Sequence, residues 1–328
     1  MLGFAHVHAA GLARAVGQLP GAELAAIFDA EPERLNDAIS LFDTKGYADV
    51  DELLRCDDIN AVIVMSETLH HVSHVCEAAK AGKHVLCEKP IATTQAGALT
   101  MIEACQRFGV KFQTIFPMRF NRAALTFRQM IRDGAVGTPI AVKATNPGKK
   151  PLGWFGNQLL AGGGAVMDHT VHVADLLRWV FDQEITEVYA EVDTRIHPSA
   201  AVDDTALMML KMSDGLTASL DASWSRPKAW PTWGGLTVQV IGDSGVLAMD
   251  AFGGHVHLIE DQGPSHEYLS LNDDANVALL QSFIDAIMND SEPKITGEDG
   301  LRAMEVALCA YESARRHEPV ACPDCLSS

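Results

Sequence analysis

Residues 61–90 read AVIVMSETLH HVSHVCEAAK AGKHVLCEKP, and this stretch decides the fold. Ala61 to Met65 is a short apolar run without alternation, bounded by polar residues, as in a parallel strand buried on both faces. In His71 to Ala81, the residues Val72, Val75 and Ala79 recur at helical spacing and give one face to pack on a sheet. Gly82 stops that helix, and His84 to Cys87 resumes as strand. Strand, helix, strand in so short a span is a βαβ unit, and its crossover is right-handed.

The same alternation extends in both directions. Upstream lie a strand at Leu24 to Phe28 and helices at Gly11 to Leu19 and Pro32 to Leu41; downstream, Lys111 to Phe116 is a further strand. Only Met1 and Leu2 precede Gly3, whereas a first strand of such a fold needs about five residues. Either that strand is short or the natural chain begins upstream. The turn Gly3-Phe4-Ala5-His6-Val7-His8 keeps the first glycine of G-x-G-x-x-G, with Ala5 at the second position and His8 at the third. A small-residue turn lets backbone N–H groups and a helix N-terminus approach a pyrophosphate, so Gly3, Phe4, Ala5 and His6 are candidate cofactor contacts. Asp29 closes the second strand, where a carboxylate accepts hydrogen bonds from a ribose diol and repels a 2′-phosphate. That points to NAD rather than NADP; the same side chain can also cap the helix that starts at Pro32.

After about Pro117 the texture changes. Val188 to Asp193, Thr205 to Met212 and Thr217 to Trp224 read as β-rich stretches, with hairpin turns at Ser213-Asp214-Gly215 and Gly242-Asp243-Ser244-Gly245. Strands joined by tight turns are antiparallel. A helix at Asp168 to Phe181 leads into this part, and helices at Asn276 to Met288 and Gly300 to Arg315 close it. The expected class is α/β: an N-terminal Rossmann dinucleotide-binding domain, residues 1–118, and a C-terminal α+β domain with a largely antiparallel open sheet, residues 119–328.

Composition narrows the partners. With 48% apolar residues the chain can bury a core rather than stay disordered. No apolar run approaches the roughly 20 residues of a membrane helix, and Met1 to Ala10 lacks the features of a signal peptide. A formal net charge of −18 repels phosphate backbones, which argues against nucleic acid. Seven scattered cysteines suit reduced thiols in a cytoplasmic protein. Cys322 and Cys325 form a C-x-x-C without a second pair, which reads as a frayed tail rather than a zinc site.

Three segments carry a family likeness: Ser66-Glu67-Thr68-Leu69-His70-His71, Gly82-Lys83-His84-Val85-Leu86-Cys87-Glu88-Lys89-Pro90, and the run from Gly162-Gly163-Gly164 through Asp168, His172 and Asp175. In order and spacing they resemble the Gfo/Idh/MocA family (glucose–fructose oxidoreductase and inositol dehydrogenase). Its patterns are T-P-N-x-x-H, A-G-K-H-V-x-x-E-K-P and G-G-x-x-x-D-x-x-x-H-x-x-D. The chain departs from them in the glycine loop and at Glu67, where the family has Pro. The resemblance implies that Lys89 and His172 face a substrate hydroxyl beside a nicotinamide, with Asp168 as the third polar member. It also implies that Ser66, Glu67, His71, Glu88 and Lys89 lie along the cofactor. It further implies a sugar, cyclitol or related polyol substrate and a homo-oligomer, dimer or tetramer, formed through the C-terminal sheet.

The chemistry of those residue types agrees. Oxidising a secondary alcohol needs a group that takes the hydroxyl proton while hydride leaves for the nicotinamide. Asp168, His172 and Asp175 fall at i, i+4 and i+7 and so share a helical face. His172 is the expected general base and Lys89 the group that anchors the hydroxyl; Asp168 orients the imidazole or holds a neighbouring hydroxyl. Arg119 and Asn121 follow the last Rossmann strand, where ligands of open α/β sheets bind, and Trp154 and Phe155 offer aromatic walls. Arg119, Asn121, Trp154 and, secondarily, His169 are therefore the substrate candidates, with no metal expected. The run from Trp224 to Trp233 suits a substrate or subunit-interface loop. Two other readings stay open: a metal-dependent isomerase or hydrolase using Asp168, His169 and His172, and a non-catalytic sensor on a dinucleotide-binding fold.

Overall fold

A computed structural model describes residues 1–260, 265–270 and 274–322. Its contacts group into two compact units. The first comprises Met1–Pro117, Leu159–Gly162 and Asp274–Leu301; the second comprises Met118–Gln158, Gly163–Asp273 and the chain from Arg302 on.

The first unit alternates helix and strand: α1 (Ala9–Val16), β1 (Ala26–Phe28), α2 (Pro32–Phe42), β2 (Lys45–Tyr47), α3 (Val50–Leu54), β3 (Ala61–Val64), α4 (His71–Lys80), β4 (His84–Cys87), α5 (Gln95–Phe108) and β5 (Phe112–Thr114). Every strand pair is parallel. Leu2, fully buried, bridges both Phe28 and Val64 in parallel fashion. It joins the two-stranded and three-stranded pieces into one row, β2–β1–Leu2–β3–β4–β5. Counted along the chain, that row runs third, second, first, fourth, fifth, sixth, the order of the doubly wound dinucleotide fold. Leu2 thus stands at the place of the first strand: it donates to Ile63 O and accepts from Met65 N–H. Helix boundaries follow local chemistry. Pro32 opens α2, the Thr94 side chain caps α5 by accepting from Gly97 N–H, and Gly109 ends α5 with φ +66°.

The second unit contains α6 (Arg122–Arg132), β6 (Pro139–Pro147), α8 (Ala165–Phe181), β7 (Ile185–Asp193), β8 (Thr205–Met212), β9 (Thr217–Ser223), β10 (Thr237–Gly242), β11 (Gly245–Asp250), β12 (His255–Glu260), β13 (Ser265–Ser270) and β14 (Val320–Ala321), whereas the short α7 (Gln158–Ala161) before α8 belongs, from Leu159 on, to the first unit. Nine strands form one sheet in the order β13–β12–β11–β10–β6–β9–β8–β7–β14. All neighbours are antiparallel except β6 and β9. The two sequence-predicted turns do join β8 to β9 and β10 to β11. Burial alternates along β8, with Ala206, Met208, Leu210 and Met212 inward and Leu207, Met209 and Lys211 outward. Helix α8 lies against β6, β8 and β9, and α6 against β11 and β12, so the inward face is covered. Near the end of the chain α9 (Ala275–Met288) packs on α1 in the first unit, and α10 (Gly297–Arg316) precedes β14. Cys322 follows β14, while Cys325 lies outside the described residues.

Candidate functional site

In the first unit the predicted cofactor residues gather at the carboxyl ends of the strands. Gly3 has φ +79°, and a Cβ there would sit 2.6 Å from the Ser66 Cα, so only glycine fits where the loop crosses the end of β3. Asp29 is buried and accepts from three groups: Phe4 N–H at 2.7 Å, Glu31 N–H at 2.8 Å and Arg34 Nε at 2.7 Å. Its carboxylate ties the glycine loop to the end of β1, and it bonds the backbone just ahead of α2 as well. Arg34 also reaches Glu67, with Nη2 3.3 Å from Oε1. Glu67 therefore has a partner that the family's proline would lack. An ionised carboxylate offers about four acceptor sites, so Asp29 keeps capacity for a ribose hydroxyl.

Ser66 accepts or donates across 3.0 Å to His74 Nδ1, while its carbonyl faces His71 Nε2 at 3.2 Å. His71 is fully buried, and its Nδ1 lies 3.1 Å from Pro90 O and 3.2 Å from Ile91 O. Its ring joins the loop after β3 to the backbone just past Lys89; it holds that segment rather than facing solvent. Burial depresses the His71 imidazole, and takes His74 down to about 4 with His71 and His70 adding to the effect. Glu88 and Lys89, at the end of β4, are both buried. Glu88 Oε1 accepts from the Lys89 N–H at 3.1 Å, and Oε2 lies 3.3 Å from His8 Nδ1 and 3.8 Å from His6 Nδ1. Burial pushes the Glu88 carboxyl up, but His6, His8 and Lys89 outweigh it and hold it well below the usual carboxylate range.

In the second unit α8 presents the expected triad positions, and an acid fixes its start. Asp203 accepts from Gly164 N–H and Val166 N–H, both at 2.8 Å, and from the Tyr311 hydroxyl at 2.7 Å. This is a side-chain cap delivered from a distant loop. The glycines make room for it. A Cβ on Gly163 would meet Tyr311 Oη at 2.1 Å, and one on Gly164 the Asp203 carbonyl oxygen at 2.0 Å. Burial raises the Asp203 carboxyl, partly offset by those hydrogen bonds, and pushes the Tyr311 hydroxyl well above its ordinary range.

Along α8 from Ala165 to Leu177 every residue is buried except His172, which stays half-buried. Asp168 Oδ2 accepts from Trp224 Nε1 at 3.1 Å and lies 3.1 Å from His169 Nε2. On its other side His169 Nδ1 bonds Asn146 O at 2.5 Å, and Asn146 Nδ2 donates to His169 O at 2.9 Å. Gly148 is required there, since a Cβ would fall 2.4 Å from His169 Cε1. Asp175 and Arg119 form a bidentate pair at 2.9 and 2.6 Å, with both side chains at least nine-tenths buried. Asn121 caps α6 through Ala124 N–H and donates to Ala251 O. Trp154 stacks on Phe155 with ring centroids 4.1 Å apart. Of the tryptophan run, Trp224 is buried beneath Asp168, while Trp230 and Trp233 are about 39% and 37% exposed.

Sequence patterns missed Arg34, Asn146, Asp203 and Tyr311. None stands inside a motif, and each acts on a partner far away in the chain or, for Arg34, on a second partner across a loop. Among the described residues one group of three metal-capable side chains converges, and it is His6, His8 and Glu88 rather than Asp168, His169 and His172.

Comparison with known proteins follows the two-unit division. Residues 1–116 match the model for an oxidoreductase family with an NAD-binding Rossmann fold, and residues 124–248 match the GFO/IDH/MocA C-terminal domain. Over 310 residues the chain is 29% identical to a myo-inositol 2-dehydrogenase of Thermotoga maritima, covering 90% of each. It is 30% identical over 277 residues to a 1,5-anhydro-D-fructose reductase of Ensifer adhaerens, covering 82% of each. An aldose-aldose oxidoreductase of Caulobacter crescentus, solved with glycerol, superposes with a TM-score of 0.86 at 25% identity over 98% of each chain.

Proposed function

The chain belongs to the Gfo/Idh/MocA family of oxidoreductases and carries its NAD-binding Rossmann fold, and on that premise we propose that it moves hydride between nicotinamide and a C–OH carbon of a sugar, cyclitol or related polyol. The observation that carries the proposal is the accessibility of His172. On a helix start otherwise closed to solvent, the imidazole in the family's histidine position keeps its exposure.

Bound NAD supplies the hydride acceptor, as the cofactor does in every such reaction. The chain's own residues supply the rest. His172 takes the hydroxyl proton as the C–H bond breaks and the carbonyl forms, and returns it in the reverse direction. Lys89 donates to the same oxygen and stabilises developing alkoxide. Asp168, held by Trp224 and His169, orients a neighbouring hydroxyl or the imidazole. Gly3, Phe4, Ala5, His6, Asp29, Ser66, Glu67, His71 and Glu88 form the cofactor side, with His71 acting through the backbone it holds. Trp154 and His169 are proposed to wall or hold the substrate. Arg119 and Asn121 serve it through the segment they fix. In this reading residues 1–118 bind the dinucleotide, and residues 119–328 bind substrate and assemble the oligomer. Among the described residues no helix is long and apolar enough to cross a membrane, and the free thiols there suit the cytoplasm.

The test is a panel of sugars, cyclitols and anhydrosugars offered with NAD and with NADP, followed by reduced-nicotinamide absorbance. At least one polyol should turn over, with NAD preferred. Silence across the panel by a chain that still binds NADH would sink the proposal.

A further inference from the structure

His6, His8 and Glu88 meet just before α1, and the donor atoms all lie within 4.8 Å of one another. We propose that they form a binding site for a divalent transition ion of the zinc type. Its basis is the geometry of the first unit alone; because His6 and Glu88 are also assigned to the cofactor side, ion and dinucleotide compete for them, and the closing experiment reads the two separately.

The distances suit such an ion. Ligands about 2.0–2.1 Å from a tetrahedral zinc lie about 3.3 Å from each other. Glu88 Oε2 is 3.3 Å from His8 Nδ1 and 3.8 Å from His6 Nδ1, so side-chain rotations that release His6 Nδ1 from the His8 N–H, 3.2 Å away, close the set. The carboxylate is already oriented, because its other oxygen accepts the Lys89 N–H. It is also fully buried, as is the His6 ring, whereas about a third of the His8 side chain is exposed. An ion can therefore enter past His8 and keep a fourth position for water or an anionic oxygen. Two imidazole nitrogens and one carboxylate oxygen select zinc, cobalt or nickel over magnesium and calcium, which take all-oxygen sets. Two features oppose the charge of the ion: the Lys89 ammonium near Glu88 and the positive N-terminal end of α1, whose cap position is His8. They weaken the site relative to closed structural sites, which carry no opposing charge.

The test is titration of the chelator-stripped full chain with zinc alone by calorimetry, and with cobalt alone by visible absorption. Both are repeated in a Cys322→Ser/Cys325→Ser background, which removes the tail thiols as competitors. One equivalent should bind in both backgrounds, and the cobalt complex should show tetrahedral d–d bands without thiolate charge-transfer bands. His8→Ala, at the exposed ligand, and Glu88→Gln should each weaken binding at least tenfold. Absence of binding, binding that vanishes with the two cysteines, or binding indifferent to His8→Ala and Glu88→Gln overturns the site. NADH affinity measured on the same samples by fluorescence keeps a failure of the metal site distinct from a failure of the cofactor reading.

Discussion

Arg34 faces two carboxylates, Asp29 and Glu67, so this trio carries one net negative charge where a ribose is expected. A lone arginine there would welcome a 2′-phosphate; one already engaged by two acids does not. Asp29→Asn should therefore narrow the NAD-over-NADP ratio of kcat/KM about tenfold, and a ratio unchanged from the parent would refute this role. Asp29 was legible because it stands at a strand end. The partner of Glu67 was not, since Arg34 lies a helix turn into α2. His74 leads to a second expectation. Its imidazole falls from 6.5 to about 4 on folding, so between those values the unfolded chain binds the extra proton and the folded chain does not. Its contribution is present in full above 6.5 and is lost as pH drops toward 4. Chemical denaturation across that window should show a shallower loss of stability in His74→Asn than in the parent. Parallel curves would contradict it. For Arg119, position after the last Rossmann strand pointed to ligand, while its bidentate bond to Asp175 was not legible, because the two stand far apart in the chain.

Elements with a strong period were readable: the βαβ alternation around residues 61–90, the alternating β8 and the amphipathic α4 all stand where their patterns put them. Helix α5 was harder to see because its buried positions, Ala98, Met101 and Cys105, include small side chains that make a faint stripe. The parallel pairing of β6 with β9 was invisible, since no local turn encodes a long-range register. The start of α8 combines both cases. Its glycines were visible, but their reason, the Asp203 cap and the Tyr311 hydroxyl, comes from far along the chain. Gly164→Ala would drive a methyl into the Asp203 backbone and should destabilise the protein by on the order of 3 kcal/mol, at the upper end of overpacking costs. Gly156→Ala, where a Cβ meets nothing within 4 Å, serves as the control and should be near neutral. Equal denaturation midpoints for the two variants would remove the steric explanation.

At the scale of the whole molecule, the outward face of the nine-stranded sheet carries Leu207, Met209, Ile241 and Ile259, from 41% to 67% exposed. Pairing of this face with a second copy is the proposal to which the resemblance first drawn from the motifs leads. Light scattering should find a dimer or tetramer for the parent and a monomer for Leu207→Glu/Met209→Lys; a monomeric parent would end the oligomer proposal. The central claim, however, rests on one imidazole. The decisive measurement is kcat of His172→Asn on the best polyol of the panel, with NADH affinity recorded alongside. If His172 takes the hydroxyl proton, kcat falls about a hundredfold or more while NADH binding stays within about twofold. A variant that keeps the parent kcat would show that the proton leaves by another route.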